Sequence, residues 1–128
     1  MSDLLLDTCA LLWLAQGGGE LSAEALAVID AAKFVHVSAI SAWELGLLTE
    51  RKQVQLPQPV AEWFAHFCDA QNIQVLNIDS DVAFAANALP WYHRDPADRF
   101  ILATAQLHKL TIVTKDQQFK AYPIPVIS

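Results

Sequence analysis

Four acidic residues stand where a carboxylate can do chemistry. Asp7 ends the apolar run Leu4-Leu5-Leu6, and Asp116 follows Leu110-Thr111-Ile112-Val113-Thr114 after a single lysine. Runs of this kind read as strands buried in a sheet, each delivering its acid at the carboxyl end. Glu44 falls inside the helical stripe Ile40, Trp43, Leu47 and Leu48, and no residue three or four positions away is a cation. Its charge must be met from outside its own helix, by a metal ion, a distant arginine or a solvated cleft edge. Asp98 sits at the third position of a helix that Pro96 begins and Asp95 caps, where the positive helix end favours an ionised carboxylate. The three aspartates also have a purely structural reading. Asp7 and Asp116 are suited to cap the segments that follow them, and Asp98 to act as a short capping-box partner.

Their combination points further than any one of them. If the strands are parallel, all four acids reach one edge of the sheet, the edge where open α/β folds bind ligands. Carboxylates converging without matching cations repel, so the pattern calls for one or two hard divalent ions, Mg²⁺ or Mn²⁺. Such ions activate water and offset charge on a phosphoryl group under in-line attack. That is nuclease chemistry.

The elements that would position these acids alternate strand-like and helix-like along the chain. Leu11, Leu12, Trp13 and Leu14 make a short apolar helix that Gly17-Gly18-Gly19 ends, and a second helix spans residues 22–33 with Ser22 as its cap. A β-like run over residues 34–38 contains His36, read as a strand-face histidine because no histidine has a ligand-like spacing to another or to a cysteine. Helices follow over residues 40–52 and 60–70, the second with Val60, Trp63, Phe64, Phe67 and Cys68 as a complete apolar stripe. Residues 73–78 form another strand, Asp79 or Ser80 caps a helix that Pro90 ends, and a last long helix runs from Pro96 to about Lys109. The strand over residues 110–114 precedes Asp116, and Ile124-Pro125-Val126-Ile127 suits a sheet edge.

Composition bounds the rest. With 128 residues and 54% hydrophobic content, the chain is expected to be a single domain, 1–128, with a real core. Met1-Ser2-Asp3 lacks the basic start of a secretory signal and no apolar run approaches membrane-spanning length, so no membrane role and a cytoplasmic location are expected. Cys9 and Cys68 fit no metal spacing and read as small core residues. The 14 acidic and 8 basic residues give a net charge of −6, which argues against broad electrostatic binding of nucleic acid. It does not exclude a nucleic-acid enzyme whose acids hold cations.

Taken in order, Leu6-Asp7-Thr8, Ser38-x-x-Ser41-x-Trp43-Glu44, Asp95-Pro96-Ala97-Asp98-Arg99 and Thr114-Lys115-Asp116 resemble the motifs of PIN-domain ribonucleases, most closely the toxins of VapBC-type toxin–antitoxin pairs. The resemblance spans almost the whole chain. It implies an α/β fold of three layers, α/β/α, with a parallel sheet of four or five strands and the first strand central. It implies that Asp7, Glu44, Asp98 and Asp116 are catalytic metal-binding acids for Mg²⁺ or Mn²⁺, helped by the hydroxyls of Thr8 and Thr114. Asp95 stays open as a further contributor, although its capping role favours Asp98 as the ligand. The implied reaction is endonucleolytic hydrolysis of RNA by an activated water, leaving a 3′-hydroxyl. Arg94, Arg99, Lys115 and Lys120 lie near the acids in sequence and are candidates for steadying substrate phosphates, with solvated salt bridges as the alternative. A homodimer and a cognate antitoxin are implied partners, with Trp13, Leu14 and the helix of Trp63 as candidates for the antitoxin groove.

Rival readings are a receiver-like phosphoacceptor domain, a haloacid-dehalogenase-like phosphatase and a PIN fold that only binds a partner. Against the receiver, Lys115 is followed by Asp116 rather than proline, and no mid-chain strand ends in an acceptor aspartate. Against the phosphatase, Cys9 stands where a second acid is needed. The full set of four acids counts against the silent binder.

Overall fold

The computed structural model describes residues 3–128. Strand β1 (Leu4–Leu6) leads into helices α1 (Thr8–Ala15) and α2 (Ala23–Ala31), and β2 (Val35–Ser38) into α3 (Ala39–Glu50) and α4 (Val60–Ala70). Strand β3 (Ile73–Leu76) is followed by α5 (Ser80–Ala88) and α6 (Pro96–His108), then β4 (Thr111–Val113), a short 3-10 helix (Gln117–Ala121) and β5 (Val126–Ile127). All pairings are parallel, in the order β3-β2-β1-β4-β5, with β1 central as expected.

Three consecutive leucines can be buried because the sheet is covered on both faces. Leu4 and Leu6 face a core that includes Leu11, Ala25, Leu45, Trp63 and Cys68 from α1 to α4. Leu5, one residue out of phase, faces Val82, Ala86, Ile101, Leu102 and Phe119 from α5, α6 and the 3-10 helix. Leu5 is 0% exposed, and cutting it back to alanine would cost about 3 kcal/mol.

The topology decides where a ligand can sit. From β1 the chain builds outward through β2 and β3, then returns to the other side of β1 for β4 and β5. The order therefore reverses between β1 and β4, and the crevice beyond their carboxyl ends is the switch point at which such sheets bind ligands. Leu6 is in register with Val113, so the residues that follow each, Asp7 and Thr114, emerge side by side. No helix among the described residues is long and apolar enough to cross a membrane.

Two expectations fail here. The apolar stripe of its helix predicts an inward Trp43, yet it is 58% exposed, because α3 buries Ser41 and Leu45 instead. Ile40 and Trp43 lie along an open groove beside Pro96, Ala97 and Phe100 of α6. Cys68 is buried as expected, whereas Cys9 is exposed, since its place in the first turn of α1 faces the open switch point.

Candidate metal centre

Asp7 does both things its position allows. It caps α1, with Oδ1 accepting from the Ala10 amide at 2.8 Å, while Oδ2 accepts from the Thr114 hydroxyl at 2.5 Å. The same threonine oxygen accepts from the Asp116 amide at 3.0 Å, so one side chain ties the acids of β1 and β4 together. Asp116 caps the 3-10 helix through Oδ1, accepting from the Gln118 amide at 2.9 Å, and keeps Oδ2 for the site.

Glu44 enters from α3. The Thr8 hydroxyl donates to its Oε1 at 2.5 Å and lies 2.8 Å from the hydroxyl of buried Ser41. Asp98 enters from the first turn of α6, whose cap forms as read from the sequence. Asp95 Oδ1 accepts from the Ala97 amide at 2.9 Å and the Asp98 amide at 3.4 Å, with Pro96 at the start of the helix. Asp98 is common to two clusters, His93–Asp98–Asp116 and Glu44–Asp95–Asp98, in each of which one ligand atom per residue lies within 4.8 Å of the others.

His93 is the site residue that sequence reasoning missed. It is 4% exposed, and its Nε2 lies 3.1 Å from Asp98 Oδ2 and 3.0 Å from Asp116 Oδ2. Its spacing to other histidines and cysteines carried no signal. Its place on the loop that leads to the Asp95 cap, five residues before Asp98, was the available one.

A model of the PIN domain family matches residues 4–125. Ribonuclease VapC22 of Mycobacterium tuberculosis is 36% identical over 126 residues, which cover 98% of this chain and 95% of that protein. The chain belongs to the PIN-domain family. The receiver and phosphatase readings are thereby set aside. Among solved structures, a toxin–antitoxin complex from Klebsiella pneumoniae matches with a TM-score of 0.69 and 26% identity, covering 98% of this chain and 96% of that one. FitAcB from Neisseria gonorrhoeae matches with a TM-score of 0.67 and 26% identity over the same shares.

In this PIN domain the acids are short of positive charge. Among the described residues no lysine or arginine pairs with any of them within 4.0 Å. Burial pushes the Asp98 carboxyl up to about 8, and Asp95, Glu44, Asp7 and Asp116 add to the effect. Burial likewise raises Asp7, against the hydrogen bonds from Thr114 and Ala10, and raises Glu44, against the bond from Thr8. The acids offer hard oxygen donors, which fit a hard divalent cation rather than a soft metal.

The phosphate-steadying role expected for Arg99 is contradicted. The side chain is buried at 3% exposure, and its guanidinium donates to four backbone carbonyls: Pro90 at 3.0 Å, His93 at 3.1 Å, Ala86 at 2.6 Å and Leu89 at 2.8 Å. These include carbonyls left open at the end of α5, where a cation is also favoured by the helix dipole. With the Trp91 ring 3.5 Å from its guanidinium carbon, Arg99 fastens the loop that carries His93. Arg94, Lys115 and Lys120 are exposed. A cavity of about 550 Å³ lies at the opposite end of the sheet and is lined by Leu14, Leu26, Ile29, Val35 and Ile73. Trp63 is only 8% exposed and belongs to the core.

Proposed function

We propose that this PIN domain is a divalent-metal-dependent endoribonuclease acting as the toxin of a toxin–antitoxin pair. The observation that carries the reading is the gathering of Glu44, Asp98 and Asp116 at the switch point, with Asp7 close enough to raise the Asp98 carboxyl and no lysine or arginine paired to any of the four. The relative named a ribonuclease, which aligns over nearly the whole chain, supports the substrate class. The toxin–antitoxin complex among the similar structures supports a protein partner.

Asp7, Glu44, Asp98 and Asp116 would hold Mg²⁺ or Mn²⁺. When bound, the ion lowers the pKa of a coordinated water and offsets charge on the phosphodiester. The chain's own residues supply the rest. Thr114 and Thr8 aim carboxylate oxygens, Asp95 fixes the first turn of α6 and with it Asp98, and Arg94 and Lys115 are free to meet substrate phosphates. The cavity beside Leu14 is the groove offered to an antitoxin, and exposed Trp43 and Phe84 offer apolar surface to a second copy in a homodimer. The expected place of action is the cytoplasm.

The test is cleavage of a panel of cellular RNAs by purified protein. Cutting is expected with Mg²⁺ or Mn²⁺ and is expected to stop with excess chelator. Cleavage that persists in chelator contradicts the metal reading, and no cleavage of any RNA with either ion contradicts the ribonuclease reading. Expression without a partner is expected to arrest growth, and unaffected growth contradicts the toxin reading.

A further inference from the structure

We propose that His93 is the positioning residue of the acidic centre, a shared hydrogen-bond donor that holds the Asp98 and Asp116 carboxylates together and does not itself bind the ion. The inference rests on the metal reading given above.

Every polar atom of His93 is committed. Its backbone N–H donates to the Tyr122 hydroxyl at 2.9 Å, and that hydroxyl donates on to the Pro90 carbonyl at 2.6 Å. Its carbonyl accepts from Arg99 at 3.1 Å. Its ring meets Phe119 edge to face, with centroids 5.4 Å apart. The backbone and ring plane are thus fixed from three sides before the ring nitrogens are considered.

Those nitrogens then have assigned roles. The Asp95 amide donates to Nδ1 at 3.3 Å, so Nδ1 presents its lone pair and the proton resides on Nε2. An Nε2–H has no lone pair to give a metal. It donates instead, and the two acceptors within reach are Asp98 Oδ2 and Asp116 Oδ2. These acids come from α6 and from the turn after β4, elements that share no local geometry. A donor placed between them sets their spacing.

The arrangement also links Asp95 to the site without making it a ligand. Its carboxylate caps α6 and so places Asp98, while its amide fixes the tautomer of His93. Hydrogen bonds to ligating side chains commonly carry about a 10- to 100-fold effect on metal affinity.

The experiment is a Mn²⁺ titration of the purified full chain without RNA, following free Mn²⁺ by electron paramagnetic resonance. His93→Phe keeps a ring against Phe119 but has no donor, and is expected to weaken Mn²⁺ binding about 10- to 100-fold. His93→Gln, whose amide NH₂ reaches about as far as Nε2, is expected to recover most of that loss, and the shorter His93→Asn is not. A packing role alone predicts that affinity per folded molecule stays unchanged in all three, and that result overturns the inference. If His93→Phe does not fold, the contrast between the Gln and Asn variants decides: equal affinities overturn the proposal. Asp98→Asn is the reference for the metal reading. Wild type that binds Mn²⁺ and Asp98→Asn that does not, beside a His93→Phe variant matching wild type, removes the role of His93 alone. Wild type that binds no Mn²⁺ removes both.

Discussion

The Thr114 hydroxyl donates to Oδ2 of Asp7 at 2.5 Å, joining residues 107 positions apart at the carboxyl ends of the adjacent strands β1 and β4. One threonine thereby aims the acid of the first strand and, by accepting from the Asp116 amide, the acid that follows the fourth. Thr114→Val keeps the shape but leaves Asp7 Oδ2 without its donor. The expected cost is about 2 kcal/mol in chemical denaturation, with cleavage at limiting metal falling about ten-fold. Unchanged stability and unchanged metal requirement would show that the bond does not organise the site.

Asp98→Asn should separate function from stability. Cleavage is expected to be lost, while the metal-free variant is expected to be more stable than wild type by about 1 kcal/mol near pH 8, because a charge crowded by four other carboxylates is gone. Thermal unfolding in chelator measures this. A clear loss of stability instead would mean that Asp98 serves the α6 first turn more than the ion.

The same crowding fixes a pH dependence. In the folded protein Asp98 is raised to about 8 from an ordinary value of 3.8, so between those values the folded state keeps a proton that the unfolded state has released. Its stabilising contribution is therefore complete below about pH 4 and is lost as pH rises through about 8. Urea midpoints in chelator should fall over this window for wild type relative to Asp98→Asn, and Mn²⁺ should restore them most at the upper end. A pH-independent difference between the two proteins would contradict the assignment.

Arg99→Lys tests a residue whose role changed between sequence and structure. An ammonium group cannot span four carbonyls, so the variant should lose about 2–3 kcal/mol in denaturation. A phosphate-binding arginine would behave differently, with stability kept and KM for RNA raised.

The acids were legible in the sequence because each breaks a local rule. Asp7 and Asp116 end apolar runs, Glu44 interrupts a stripe, and Asp98 follows the cap and proline that start a helix. The parallel sheet was legible for a related reason, since three successive leucines fit only a strand covered on both faces. What stayed hidden depends on distance in sequence. His93 meets Asp116 across 23 residues and Tyr122 across 29, and nothing in its own neighbourhood announces either contact. Arg99 carries a usable signal. It shares a helical face with Leu102 and Ala103, both 0% exposed, so its charge, like that of Glu44, demanded a partner away from its own helix. Trp43 was misplaced because hydrophobicity alone cannot tell which of two sides of α3 meets the sheet.

The most direct test of the central claim is diffraction at the manganese absorption edge from crystals of the full chain grown with Mn²⁺. The account predicts an anomalous peak at the switch point between β1 and β4, bonded to carboxylate oxygens that include those of Asp7 and Asp98. A map without a peak there in saturating Mn²⁺ would contradict it.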